Sequence, residues 1–189
     1  MGKKKYIIAG LLILLSVAII ILAISVGNYM RQKKELKESM KSFSKLIESG
    51  NLDDVTLTIY YIPPHIDTSW AWRVDDLIRG CNPFVIEGNE LEKHIDLLIR
   101  LNNTALKPVI KKSYLNARIY YVFETEKDGK ILDAAMWSGN NNILVNEIEV
   151  KVYDILYDVI MPFLPEDVVI QFEVYLGRRN QDETINYSE

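Results

Sequence analysis

The chain has 189 residues, 49% hydrophobic and 25% charged, with one cysteine, two histidines and a formal net charge of −4. A single Cys excludes an intrachain disulfide, and two His leave few of the usual metal and acid–base constellations. Residues 1–50 carry nine Lys/Arg against three Asp/Glu, and residues 51–189 carry 13 against 23, so a basic collar precedes an acidic remainder. An acidic domain repels phosphate backbones, and no nucleic-acid partner is expected.

No charged residue lies between Lys5 and Arg31, so Tyr6 to Met30 form a 25-residue uncharged run rich in Ile and Leu. At about 1.5 Å per residue a helix over this run reaches roughly 37 Å, enough to cross a bilayer. The apolar core of a cleaved signal is about 7–15 residues, shorter than this run, although Ala23 and Ser25 have the spacing of a peptidase site. A lipoprotein signal would need a Cys at the end of the run, and the sole Cys is Cys81. Tyr6 stands where myristoylation of Gly2 favours Ser or Thr. Residues 1–30 are therefore expected to be an uncleaved anchor, in the lipid bilayer through Tyr6 to Met30.

Lys3, Lys4 and Lys5 precede the run, and Arg31, Lys33, Lys34 and Lys37 follow it. These cations suit anionic lipid head groups at the membrane surface. The larger Lys/Arg count after the run argues for a cytoplasmic domain. The short, densely charged tail resembles the start of an export signal, and long domains translocate with limited regard to flanking charge. An extracytoplasmic domain is expected, with the charge count standing against it.

Residues 31–50 read as a basic amphipathic helix, with Leu36, Met40, Phe43 and Ile47 on one face and Gly50-Asn51 as its stop. Residues 51–177 read as one α+β domain. "VTLTIYYI", Val55 to Ile62, alternates as a strand and ends at Pro63-Pro64. Val74 to Arg79 is a short helix and Phe84 to Glu87 a short strand. Asn89 with Glu92 has capping-box spacing, opening a helix that places Leu91, Ile95, Leu98 and Ile99 on one face. Arg118 to Thr125 and Lys130 to Trp137 form a hairpin joined at Asp128-Gly129. "SGNNN" is a turn before a third strand, Ile143 to Val145. Asn146 with Glu149 repeats the capping spacing, so a helix burying Ile148, Val152, Ile155, Leu156, Val159 and Ile160 is expected, ended by Pro162 and Pro165. Residues 167–176 suit a helix stopped by Gly177 somewhat better than a strand, and residues 178–189 read as a disordered tail. The sum is an antiparallel sheet of about four strands packed against two or three helices.

Chemistry-bearing patterns are few. Glu90 and His94 sit one helical turn apart but lack a third zinc ligand, so a surface His explains the pair better. His65 and Cys81 suggest a nucleophile–base pair, against which stands the habit of a lone Cys to be a small buried apolar residue. "ETEKDGK" begins like a calcium loop, with Glu124, Glu126, Asp128 and Gly129, but Ala135 occupies the position of the bidentate acid. No cofactor or metal is expected, and no catalytic residue stands out.

The most suggestive feature is aromatic. Tyr60, Tyr61, Trp70, Trp72 and Arg73 cluster in "YYIPPHIDTSWAWR", with Asn140, Asn141 and Asn142 on another turn. Trp, Tyr and Arg anchor binding sites because they join a large apolar face to a polar tip. The bland alternative is that the tyrosines alternate between core and surface while the tryptophans cap the core edge.

The layout of "LTIYYIPP", "ELEKHIDLLIRLNN" with "ARIYYVFETEKDGK", and "NNILVNEIEVKVYDILYDVI" resembles small membrane-anchored or exported α+β domain proteins of unknown function from Gram-positive bacteria. The resemblance covers Leu57 to Ile160 and implies a fold, carrying no activity or site residue. The expected function is a tethered, non-enzymatic sensing, partner-binding or accessory domain with a protein or glycan partner. An envelope enzyme of unrecognised type and a structural subunit of a membrane complex are the alternatives.

Overall fold

Forty-eight residues of unbroken helix open the chain. The computed structural model describes residues 2–109, 116–137, 143–151 and 153–179. In it α1 (Gly2–Ser49) runs about 72 Å at 1.5 Å per residue. No Pro precedes Pro63, so nothing in α1 removes a rung of its hydrogen-bond ladder. Its first part is long and apolar enough to cross a membrane, with Leu14, Ile21 and Leu22 exposed. Beyond Met30 the same helix buries Leu36, Phe43 and Ile47, with Met40 packed beside them. The apolar run and the amphipathic segment are thus one rod, whose second part docks on the domain as the apolar spacing predicts. Gly50, at φ +66°, ends it.

The domain is built on six antiparallel strands in the order β2-β1-β3-β4-β5-β6. They are β1 (Val55–Tyr61), β2 (Phe84–Glu87), β3 (Ala117–Thr125), β4 (Gly129–Trp137), β5 (Ile143–Val145) and β6 (Ile148–Val150). Alternation in β1 turns Val55, Leu57 and Ile59 into the main core, where they meet Ile119, Tyr121 and Phe123 of β3. Gly129, at φ +66°, closes the β3–β4 hairpin as the Asp-Gly signal predicts.

The helices lie mainly on one face: α3 (Gly88–Glu92), α4 (Ile95–Asn102), α5 (Ile155–Asp158), a 3-10 turn (Met161–Phe163) and α6 (Glu166–Tyr175) all supply residues to the main core with α1. The opposite face carries a smaller cluster of Ile62, Leu77, Ala117, Tyr120, Val122 and Ala135 under α2 (Val74–Gly80).

Two expected helices are corrected. The six strands exceed the expected four partly because Ile148–Val150, assigned to a helix from the Asn146/Glu149 spacing, is β6. Asn146 and Glu147 adopt φ +46° and +66°, the two-residue hairpin turn whose twist matches the strands. The Asn146 N–H donates to the Asp133 carbonyl (3.1 Å) and its Oδ1 accepts the Asp133 N–H (2.7 Å). Asn tolerates the left-handed region, so the residue that mimics a cap serves a turn. The helix expected from Asn89 is two pieces broken at Lys93-His94, with Glu87 rather than Asn89 at its cap. Ile99, expected on one face with Leu91 and Leu98, is 41% exposed where they are buried, and Leu101 takes the inward position. Residues 166–175 are helical as favoured, and Gly177 at φ +69° follows them. Asn140, Asn141, Asn142, Val152 and residues 180–189 of the expected tail lie outside the described residues.

Candidate functional site

Pro63-Pro64 forbids β1 from continuing, and the chain from Pro63 to Arg73 crosses one end of the sheet before α2. Three groups of contacts hold this loop. The His65 Nδ1–H donates to Gln171 Oε1 of α6 at 2.7 Å. Arg118 Nη1 donates to the Ile66 carbonyl at 2.7 Å. The Trp72 N–H donates to Asn116 Oδ1 (3.1 Å), and the Trp72 carbonyl accepts the Ala117 N–H (2.7 Å). At the loop's end the Asp76 carboxylate accepts the Arg73 N–H (2.9 Å), which holds its pKa below the usual carboxylate value.

Between the loop and α2 lies an open groove of about 370 Å³ lined by Ile62, Pro63, Ile66, Trp70, Trp72 and Cys81. Its wall is mainly apolar, and Asp67 is the carboxylate on it. Trp70 is 66% exposed, an uncommon disposition for so large an apolar surface. The Thr68 hydroxyl donates to the Trp70 carbonyl (2.8 Å) and shapes the backbone that displays the ring. Burial pushes the Cys81 thiol up, so it stays protonated and is a poor nucleophile. His65 is held through Nδ1 by Gln171, and the Cys81 thiol is not activated, so the structure gives the Cys–His pair no support.

The aromatic residues grouped by sequence are divided by the fold. Trp72 is half-buried, and its ring fills the space beside Gly80, where an added Cβ would stand 2.7 Å from Cη2. Tyr60 stacks near Tyr120 (6.1 Å between centroids) on the α2 face. Tyr61 points to the other face against Phe84 (5.5 Å), and burial, then Asp167, raises its pKa. Consecutive strand residues face opposite ways, so Tyr60 and Tyr61 cannot share one contact surface. Arg73 is exposed at the start of α2, outside the groove lining. Lys33, Lys34, Lys37 and Arg31 are exposed on α1, with Arg31 and Lys34 near Glu35 and Glu38 at 3.8 and 3.7 Å. Lys3, Lys4 and Lys5 belong to the first turns of the same helix.

Two polar features escaped the sequence reading. Arg118 is 8% exposed, and its Nε has no hydrogen-bond partner among the described residues. Asp133, 7% exposed, accepts from Lys130 Nζ (2.8 Å) and from the Tyr120 hydroxyl (3.2 Å). Burial, then the Asp133 charge, drives the Tyr120 pKa well up, and the hydrogen bond to Asp133 raises that of Lys130. The only signal for either residue was a charge inside an otherwise apolar strand. Among the described residues no group of three or more His, Cys, Asp or Glu could hold a metal ion. Glu90 pairs with Lys93 (2.6 Å), while His94, half-buried rather than on the surface, sits edge-on to Phe163 (5.1 Å).

No family model, curated protein or solved structure matches this chain, so its functional reading rests on the geometry above.

Proposed function

We propose that this protein is a membrane-tethered, extracytoplasmic, non-enzymatic binding module that captures a protein or glycan partner in the groove beside Trp70. The single observation that carries the reading is the exposed Trp70 ring on a loop pinned at His65, Ile66 and Trp72. A preformed apolar surface loses little conformational entropy on binding, and an aromatic anchor of this kind commonly dominates an interface. The rod-like α1 favours tethering close to the bilayer. Leu36 is buried only six residues beyond Met30, about 9 Å along the helix.

The test uses the tagged full chain in membranes, with capture of envelope proteins and glycans compared between wild type and Trp70→Ala. Capture should fall at least about tenfold, as truncation of an anchor removes roughly 2 kcal/mol or more, with the Tm unchanged. Trp72→Ala is the contrasting variant and should lower the Tm, because its ring packs the second cluster. Equal capture by wild type and Trp70→Ala would refute the assignment. A phosphatase active only outside the cytoplasm, fused after Glu189, tests the orientation by its activity.

A further inference from the structure

The two outer edges of the sheet differ in what satisfies their backbone. The Ile62 N–H donates to the Arg118 carbonyl, which makes these opposed residues a hydrogen-bonded pair. Alternation along the β1–β3 register then turns the backbone groups of Leu57 and Ile59 toward β2, where they oppose Ile86 and Phe84. Val85 and Glu87 consequently point theirs away from the sheet. The same count carried across β3, β4 and β5 turns Glu149 and Lys151 outward at β6. There the chain supplies partners: the Val109 N–H donates to the Glu149 carbonyl (2.8 Å) and the Lys151 N–H to the Lys107 carbonyl (3.2 Å).

No such strap covers β2 among the described residues. The Val85 N–H, the Val85 carbonyl and the Glu87 N–H face outward, while the Glu87 carbonyl starts α3. Beside them runs an open groove of about 670 Å³ lined by Phe84, Val85, Glu87, Glu90, Pro162 and Phe163. Val85 is 60% and Phe84 37% exposed. Native edges are blunted by shortness, charge, Pro, a bulge or a covering segment; β2 is short, follows Pro83 and carries Glu87, but among the described residues it has no bulge and no covering segment.

We propose that β2 accepts an extended basic segment of another polypeptide as a seventh strand. Its side chains would alternate, apolar ones entering the groove at Phe84 and Phe163 and Lys or Arg lying over Val85 and Glu87. The choice of a basic partner follows from charge: no Lys or Arg stands on this lining, and of its two carboxylates Glu90 is held by Lys93, which leaves Glu87 to receive the partner's cation. A second copy is disfavoured by charge, since residues 51–189 carry 23 Asp/Glu against 13 Lys/Arg and two such domains repel each other. The surface is separate from the Trp70 groove, so either reading can fail without the other.

The probe is an acetylated, amidated hexapeptide of alternating valine and lysine, added to the full chain in zwitterionic nanodiscs. The valine–glutamate hexapeptide and a valine–lysine hexapeptide N-methylated at alternate residues are the controls. Saturable binding with slowed hydrogen exchange at the Val85 and Glu87 amides is expected, at least about tenfold weaker for either control. Val85→Pro removes an N–H that the β1–β2 ladder does not use, so it should retain the fold and lose binding about tenfold. Glu87→Lys, which leaves the backbone alone, should reverse the preference toward the glutamate peptide. Absence of binding at millimolar peptide, binding by the N-methylated peptide equal to the parent, or an unaltered charge preference in Glu87→Lys would overturn the proposal.

Discussion

Phe43 of α1 meets Phe123 of β3 edge to face, with ring centroids 5.3 Å apart and planes at 62°. Both rings are fully buried, and Phe123 in turn meets Tyr121 at 5.9 Å. The second half of α1 is therefore part of the domain's core. Phe43→Ala should cost about 3–5 kcal/mol, the usual loss for a buried Phe. Ser42→Ala, one position away on the exposed side, should change stability by less than about 0.5 kcal/mol. Urea unfolding of the full chain measures both, and similar values for the two variants would show that the rod is not docked.

Gly88 begins α3 against the turn that precedes β1. A Cβ built there would stand 1.7 Å from the Leu52 carbonyl oxygen and 2.4 Å from its carbon. Backbone cannot yield as a flexible side chain can, so the β2–α3 junction must separate from the Leu52 turn. Gly88→Ala should destabilise by more than about 3 kcal/mol, whereas Gly10→Ala, with nothing within 4 Å, should be silent in the domain. Thermal melts of the two variants make the comparison.

Burial lifts the phenol of Tyr157 to about 12, with Tyr175 adding to the rise, and lifts that of Tyr121 still further. The folded state therefore holds these protons more tightly than the unfolded chain, whose tyrosines titrate near 10. The resulting stability is complete below pH 10 and is lost as pH climbs through the folded values, on the order of 2 kcal/mol for Tyr157 by pH 12. Unfolding free energies between pH 8 and 12 should fall above 10. Tyr157→Phe should reduce the protons coupled to that fall by about one, and an unchanged slope would contradict burial as the cause.

What the residue order settles on its own follows from short-range physics. A 25-residue uncharged run is long enough to span a bilayer whatever follows it. The alternation in Val55–Tyr61, the Asp128-Gly129 hairpin and the face of Leu36, Phe43 and Ile47 were legible because each repeats over a few adjacent residues. The tertiary structure decided the rest. Asn146 satisfied the spacing of a helix cap, yet Asp133, thirteen residues earlier, offered its N–H and carbonyl and converted the cap into a turn. Tyr60 and Tyr61 read as one patch, but the pleat sends them to opposite faces. Trp70 and Trp72 have the same side chain two positions apart. Only the packing of Trp72 on Gly80 separates a half-buried ring from an exposed one. The open edge at β2 needed the whole strand order, since an edge exists only where no neighbour pairs. Local periodicity determines which elements form, and contacts between residues distant in sequence determine which of their surfaces remain free.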